Sequence, residues 1–179
     1  MKTRYDSYCG LYCGACPVLA ATVKGEVEAK AAAWELPAKD IVCAGCKSRV
    51  LATYCKTECV MRLCARDHGF EFCVECDEYP CATVQTFERD GYPHHTLITA
   101  NSEAIADAGV DAWLEEQGKR WSCSGCGTPF TWYEEECAKC GGKLYDAFAE
   151  EADLAEEKAR ESEGESAYWK LRRKLRSFR

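Results

Sequence analysis

Four cysteines stand as Cys123-Ser-Gly-Cys126 and Cys137-Ala-Lys-Cys140, two C-x2-C pairs with ten residues between them. A C-x2-C turn brings two sulfurs to one side of a tight loop. Two such turns supply the four thiolates that Zn(II) takes in a tetrahedron, with bonds of about 2.3 Å and sulfurs roughly 3.7 Å apart. Gly125, Gly127, Gly141 and Gly142 permit the turns that aim backbone amides at the sulfurs. Protein fills all four positions of such a site, so the spacing predicts a structural zinc ribbon and not a catalytic centre.

Eleven further cysteines lie upstream, as Cys9-x3-Cys13-x2-Cys16, Cys43-x2-Cys46, Cys55-x3-Cys59, Cys64, Cys73-x2-Cys76 and Cys81. Eleven thiols make two four-thiolate sites with three left over, or three sites if a histidine supplies a twelfth ligand. Local pairing favours Cys43, Cys46, Cys55 and Cys59 as one site and Cys64, Cys73, Cys76 and Cys81 as another, which leaves Cys9, Cys13 and Cys16. Interleaved sites that staple distant segments fit the spacing equally well. His68 follows Cys64 by four residues and shares its helix face, which makes it the arithmetical candidate for the twelfth ligand. The plainer reading is a helix-end histidine favoured by the dipole. His94 and His95 lie far from any cysteine pair and read as surface residues.

The trio at 9–16 has a second reading. C-x3-C-x2-C is the spacing with which radical S-adenosylmethionine enzymes hold a [4Fe–4S] cluster. A chain of 179 residues, with no parallel-sheet pattern after Cys16, does not provide their barrel. A closed [4Fe–4S] cluster on this trio and one distant cysteine remains the alternative to zinc, since such clusters also take four thiolates. No Cys/His pair, Ser/His/Asp set or Gly-rich phosphate loop stands out, and the catalytic residues are unassigned.

The elements that must position these ligands follow from the pattern. Pro17 suits a first helical position after Cys16, and Leu19, Val23, Val27, Ala31 and Trp34 recur as one helical stripe that ends at Leu36-Pro37. A second helix is expected from about Cys55 to His68, closing at Gly69, and a third from Cys81 to about Arg89. Residues 96–118 read as helix interrupted near Gly109, with Ile98, Ile105, Trp113 and Leu114 as core contacts. From Trp121 to Tyr145, the cysteine pairs with Phe130, Trp132 and Tyr133 predict short strands and tight turns. The fold class expected is small α+β and metal-stapled: a cysteine-rich helical N-terminal module plus a C-terminal zinc ribbon. The divisions are 1–93, a helical connector at 94–118, the ribbon at 119–145, and an acidic helix with a basic amphipathic tail at 146–179.

Composition narrows the staple to metal. Apolar residues make up 47%, but the 15 cysteines are counted among them, so the core needs reinforcement. An odd number of thiols cannot all pair as disulfides, and the polar opening Met1–Ser7 carries no secretory pattern. A reducing, cytoplasmic setting with thiols on metal is the expectation, without integral membrane association. The cofactors expected are three or four Zn(II) ions, or one [4Fe–4S] cluster plus zinc.

Charge is uneven. Residues 103–165 carry 6 basic and 17 acidic groups, whereas residues 166–179 carry 6 basic groups and no acid. The net charge of −7 argues against a general nucleic-acid-binding surface. The tail reverses the sign locally. Tyr168, Leu171, Leu175 and Phe178 form a helical stripe among basic residues, and Arg172, Arg173, Lys174 and Arg176 are the candidates to contact a protein or nucleic-acid partner. The plainer reading packs that stripe on the protein and sets its charge against the preceding acidic segment.

Cys-Gly-Leu-Tyr-Cys-Gly-Ala-Cys-Pro at 9–17, Cys-Ala-Gly-Cys at 43–46, Met-Arg-Leu-Cys-Ala at 61–65 and Cys-Val-Glu-Cys-Asp-Glu-Tyr-Pro-Cys at 73–81 together resemble one family. It is the cysteine-rich bacterial and archaeal family catalogued as domain of unknown function 3795. Gly-Val-Asp-Ala-Trp-Leu-Glu-Glu-Gln at 109–117, leading into Trp121 and the ribbon, is similar to its longer members. The resemblance spans roughly residues 8–145 and implies zinc binding by the eleven N-terminal cysteines. It does not include His68, and it implies no activity. The reading is therefore a zinc-binding cytosolic protein, a metal-stapled binding or adaptor module, with an iron–sulfur protein in electron transfer or redox catalysis as the alternative.

Overall fold

Helix α1 (Pro17–Lys24) begins where Cys16 caps it and Pro17 occupies its first turn. It stops at Gly25, whose backbone is left-handed with φ 73°, and the chain re-enters helix as α2 (Val27–Ala33). The single stripe expected across 19–34 is therefore broken. Leu19 and Ala31 are buried, while Val23 and Trp34 are exposed, because the turn at Gly25 resets the helical register. The structure is a computed structural model and describes residues 2–145. The acidic segment and the basic tail, with Arg172, Arg173, Lys174 and Arg176, lie outside the described residues.

The helix expected over 55–68 is also two pieces. Helix α3 (Thr53–Thr57) ends at Glu58, and α4 (Val60–Asp67) starts with Cys59 as its cap. Helix α5 (Ala82–Glu88) follows Cys81. Helices α6 (Ile98–Ala108) and α7 (Val110–Arg120) meet at Gly109 and pack on each other, as the interrupted 96–118 pattern suggests. Among the described residues, extended structure amounts to isolated antiparallel bridges, Ser122 with Pro129 and Glu136 with Lys143. The fold is thus small and helical with little strand.

Apolar clusters hold the described residues together. Cys9, Met61, Ala65, Cys73, Tyr79, Val84 and Ile98 form one, so the first cysteine motif packs on α4, α5 and α6. Ser102 on α6 ties this cluster down by donating its hydroxyl to the Cys9 carbonyl at 3.0 Å. Phe72, Ile105 and Trp113 form another; Trp113 is 1% exposed, with Tyr12 set edge-on at 5.9 Å between ring centroids. Burying an indole of this kind contributes several kcal/mol relative to a truncated side chain, roughly 3–5 kcal/mol.

The segment before Cys9 threads between elements that lie far apart in sequence. The Arg4 amide donates to the Ala44 carbonyl at 2.8 Å, the Cys13 amide to Tyr5 at 2.8 Å, and the Cys73 amide to Tyr8 at 2.7 Å. Asp6, 2% exposed, pairs with Arg4 at 2.8 Å and with the buried amine of Lys47 at 3.0 Å. Burial opposes ionisation of Asp6, but hydrogen bonds from Arg4 and Lys47 outweigh it and hold the carboxyl below its ordinary range. No helix among the described residues is long and apolar enough to cross a membrane.

Candidate metal centre

The two C-x2-C turns fold alike. In the first, the Cys123 amide donates to Thr128 at 2.9 Å and the Gly127 amide returns to the Cys123 carbonyl at 2.8 Å. In the second, the Cys137 amide donates to Gly142 at 2.9 Å and Gly141 returns to Cys137 at 2.8 Å. Gly127 and Gly141 stand at matching places with φ 70° and 68°, where a side chain would strain the loop. Both turns come from one local rule, a cysteine pair followed by glycine.

Facing each other, the loops bring the sulfurs together. Cys123 Sγ lies 3.6 Å from Cys140 Sγ, and Cys126 Sγ lies 3.5 Å from Cys137 Sγ. All four ligand atoms fall within 4.8 Å of one another. These separations match the edge of a four-sulfur tetrahedron on an ion with bonds of about 2.3 Å, so the donor set fits Zn(II). A zinc ion bound here supplies a cross-link between the two loops and no open position.

The loops also prepare the charge. Amides of Gly125 and Cys126 aimed at Cys123 pull its thiol below the ordinary range. Thr128, whose hydroxyl oxygen is 3.2 Å from Cys126 Sγ, draws that thiol down to about 6. At Cys140 the Gly142 amide also favours the thiolate, but the three neighbouring sulfurs outweigh it and push the thiol up to about 12. Four sulfurs this close cannot all ionise alone; a divalent cation removes that conflict and releases protons as it binds.

The ribbon rests on an aromatic seat. Trp121 is buried against Phe130 and Tyr145, and the Trp132 amide donates to Ala15 at 3.2 Å. His94 stacks on Trp132 with centroids 3.7 Å apart and hydrogen-bonds the Tyr133 hydroxyl. His95 is 8% exposed, stacked on Phe87 and paired with Asp90 at 3.0 Å. Neither histidine is the surface residue its distance from the cysteines suggests. Burial first, and His95 second, lower His94 to about 3.

The upstream cysteines are arranged differently. Cys9, Cys43 and Cys73 are buried, Cys64 is exposed, and the other N-terminal thiols are intermediate. Among the described residues, no three N-terminal cysteines have all their sulfurs within 4.8 Å, in contrast to the ribbon. They nonetheless form one electrostatic neighbourhood. Burial raises the Cys16 thiol to about 11 and the Cys55 and Cys73 thiols to about 12, and further cysteines add to each shift. His68 Nδ1 lies 3.8 Å from Cys64 Sγ and 2.9 Å from the Cys64 carbonyl, the local contact of a residue ending its own helix.

Sequence reasoning passed over two cations beside these thiols. Lys47 follows Cys46, and its Nζ sits 3.3 Å from the Phe72 ring centroid while pairing with Asp6. Arg62, 6% exposed, donates Nε to the Cys46 carbonyl at 3.2 Å, and its Nη1 is buried without a partner among the described residues. The only sequence signal for either is its closeness to a cysteine.

Fold and site together define a small helical, cysteine-rich protein with a four-thiolate group able to hold a metal ion. Residues 5–86 match the model of the family described as a protein of unknown function (DUF3795). The match takes in all eleven upstream cysteines and stops before the ribbon. No curated protein and no solved structure matches the chain.

Proposed function

We propose that this chain is a metal-stapled binding or adaptor module of the cytoplasm. In this reading Cys123, Cys126, Cys137 and Cys140 hold one structural Zn(II). The eleven N-terminal cysteines hold the rest of a complement of three or four ions, stapling residues 1–93 into a module joined by 94–118 to the ribbon at 119–145. The observation that carries it is the meeting of four ribbon sulfurs at the edge length of a zinc tetrahedron, 3.5 and 3.6 Å across the two loops. A closed set of four thiolates serves architecture, which leaves function to the surfaces it braces. One such surface is a groove of about 440 Å³ between Tyr54, Val60 and Phe87, with Glu58 and Asp90 among its lining residues. Its chemistry suits a partner segment carrying apolar and basic side chains. The basic tail offers a separate contact for an acidic protein or nucleic acid.

One observation favours a second reading, an iron–sulfur protein working in electron transfer or redox chemistry. The N-terminal thiols are neighbours but stand wider than a single ion's tetrahedron. A cluster of several irons spreads its thiolates over separate corners and spaces them more widely than one ion does. Anaerobic purification of the full chain, with metal and labile-sulfide analysis and an absorption spectrum, separates the two. The zinc reading expects colourless protein with three or four zinc ions per chain. Brown protein with iron and sulfide would overturn it for the N-terminal module.

A further inference from the structure

We infer that Arg62 is the built-in counter-ion of a net-anionic thiolate–metal centre in the N-terminal module, with Cys46 among its ligands. This rests on the reading that the module holds metal, and it assigns that centre a sign of charge and a residue that stabilises it. The metal is thiophilic, either Zn(II) or an iron–sulfur cluster.

Arg62 is a cation set where the local structure opposes one. It is 6% exposed, and its Nη1 is buried with no hydrogen-bond partner among the described residues. Its Nε donates to the Cys46 carbonyl at 3.2 Å, which satisfies one donor and leaves the charge unmatched. Among the described residues it forms no ion pair with a carboxylate. Taking a guanidinium out of water is costly unless an anion meets it. Its place on the helix adds to that cost. Helix α4 starts at Val60 behind the Cys59 cap, so Arg62 sits in the first turn, where the dipole disfavours a cation. Lys47 shows the contrast. Its side chain is also 6% exposed, but Asp6 lies 3.0 Å from its Nζ, and Glu71 stands 3.9 Å from both Lys47 and Arg4. Two acids answer two bases there, and neither serves Arg62.

The candidates to supply the missing anion are thiols. Cys46 carries the carbonyl that Arg62 grips, and Cys59 caps the same helix. Met61 and Ala65 of α4 belong to the apolar cluster of Cys9 and Cys73, against which Cys59, Cys76 and Cys81 also pack. Neutral thiols would leave the guanidinium uncompensated. Thiolates on a metal would not: four on one divalent ion leave two negative charges, and three with a neutral histidine leave one. Arg62 therefore fits either ligand set and does not depend on how the remaining cysteines are shared out. The group at 123–140 needs no such partner, because Cys140 is exposed and water screens its charge. The N-terminal module buries Cys9, Cys43 and Cys73, so negative charge held there must be met from within the fold.

The test compares Arg62→Gln and Arg62→Lys with wild type, each as the full chain purified anaerobically with its metal. Both replacements keep a donor for the Cys46 carbonyl, and only lysine keeps the charge. Metal, as zinc, iron and sulfide, is measured against rising chelator. Alkylation read by mass spectrometry assigns each loss to the thiols at 9–81 or to those at 123–140. Arg62→Gln should give up the metal of 9–81 at a chelator concentration roughly 10–100-fold lower than wild type, and Arg62→Lys should stay close to wild type. The group at 123–140 should release its metal alike in all three. Equal losses from 9–81 in the two variants would reduce Arg62 to a packing role and overturn the inference, as would release at the wild-type concentration in Arg62→Gln. Either result leaves the metal-binding reading intact. A wild-type chain with no metal at 9–81 would overturn that reading, and the inference with it.

Discussion

Replacing Gly45 with alanine should uncouple the N-terminal segment from the 43–46 turn. The backbone at Gly45 has φ +105°, and an added Cβ would lie 1.7 Å from the Arg4 carbonyl oxygen and 2.7 Å from its carbon. A non-glycine residue held in such a conformation costs about 1–3 kcal/mol. The clash cannot be relieved by a rotamer, because the obstacle is backbone. The segment must therefore move away and give up the Arg4–Ala44 hydrogen bond of 2.8 Å, a further loss of about 1 kcal/mol. Gly45→Ala should lower stability by about 3 kcal/mol in urea unfolding of the metal-loaded full chain. Gly25→Ala is the matched control: its φ is +73°, but nothing lies within 4 Å of the added carbon. It should cost only the conformational penalty, about 1 kcal/mol. Equal losses in the two variants would refute the claim that the turn is packed on the N-terminal segment.

Other consequences are open to measurement. Asp6→Asn leaves Lys47, whose side chain is 6% exposed, without its buried counter-charge, and chemical denaturation should register a loss of about 3 kcal/mol. A change below about 1 kcal/mol would show that Asp6 is not the anchor of this network. Trp113→Ala empties the centre of a cluster with Phe72 and Ile105 and should cost about 3–5 kcal/mol in the same assay. His94 is held at about 3 against an ordinary value of 6.5, so the unfolded chain takes up a proton that the folded one refuses. Its effect on stability is therefore neutral above pH 6.5 and increasingly unfavourable as the pH falls from there toward about 3. His94→Phe should flatten the wild-type decline between about pH 6.5 and pH 4.5, and parallel declines would contradict the burial of this ring.

What could be read from the sequence divides by the range of the interactions. The four-cysteine group at 123–140 was legible because each loop is closed by contacts between near neighbours, as in Cys123 to Thr128 and Cys137 to Gly142. Helices α5, α6 and α7 followed from local periodicity and from the break at Gly109. The continuous stripe over 19–34 failed because periodicity does not register a left-handed turn at Gly25. His94 and His95 were misread because their partners Trp132, Tyr133 and Phe87 are set by tertiary packing, not by any spacing to a cysteine. The surroundings of Cys46 were hidden for the same reason: Arg62 lies 16 residues away and the Arg4 segment lies before the first motif.

The central claim is that the four ribbon thiols hold one zinc ion. The most direct measurement is the zinc content of the anaerobically purified full chain beside that of Cys126→Ser/Cys140→Ser, each normalised to protein. The double variant should carry one zinc fewer per chain. Equal zinc in the two proteins would contradict the assignment.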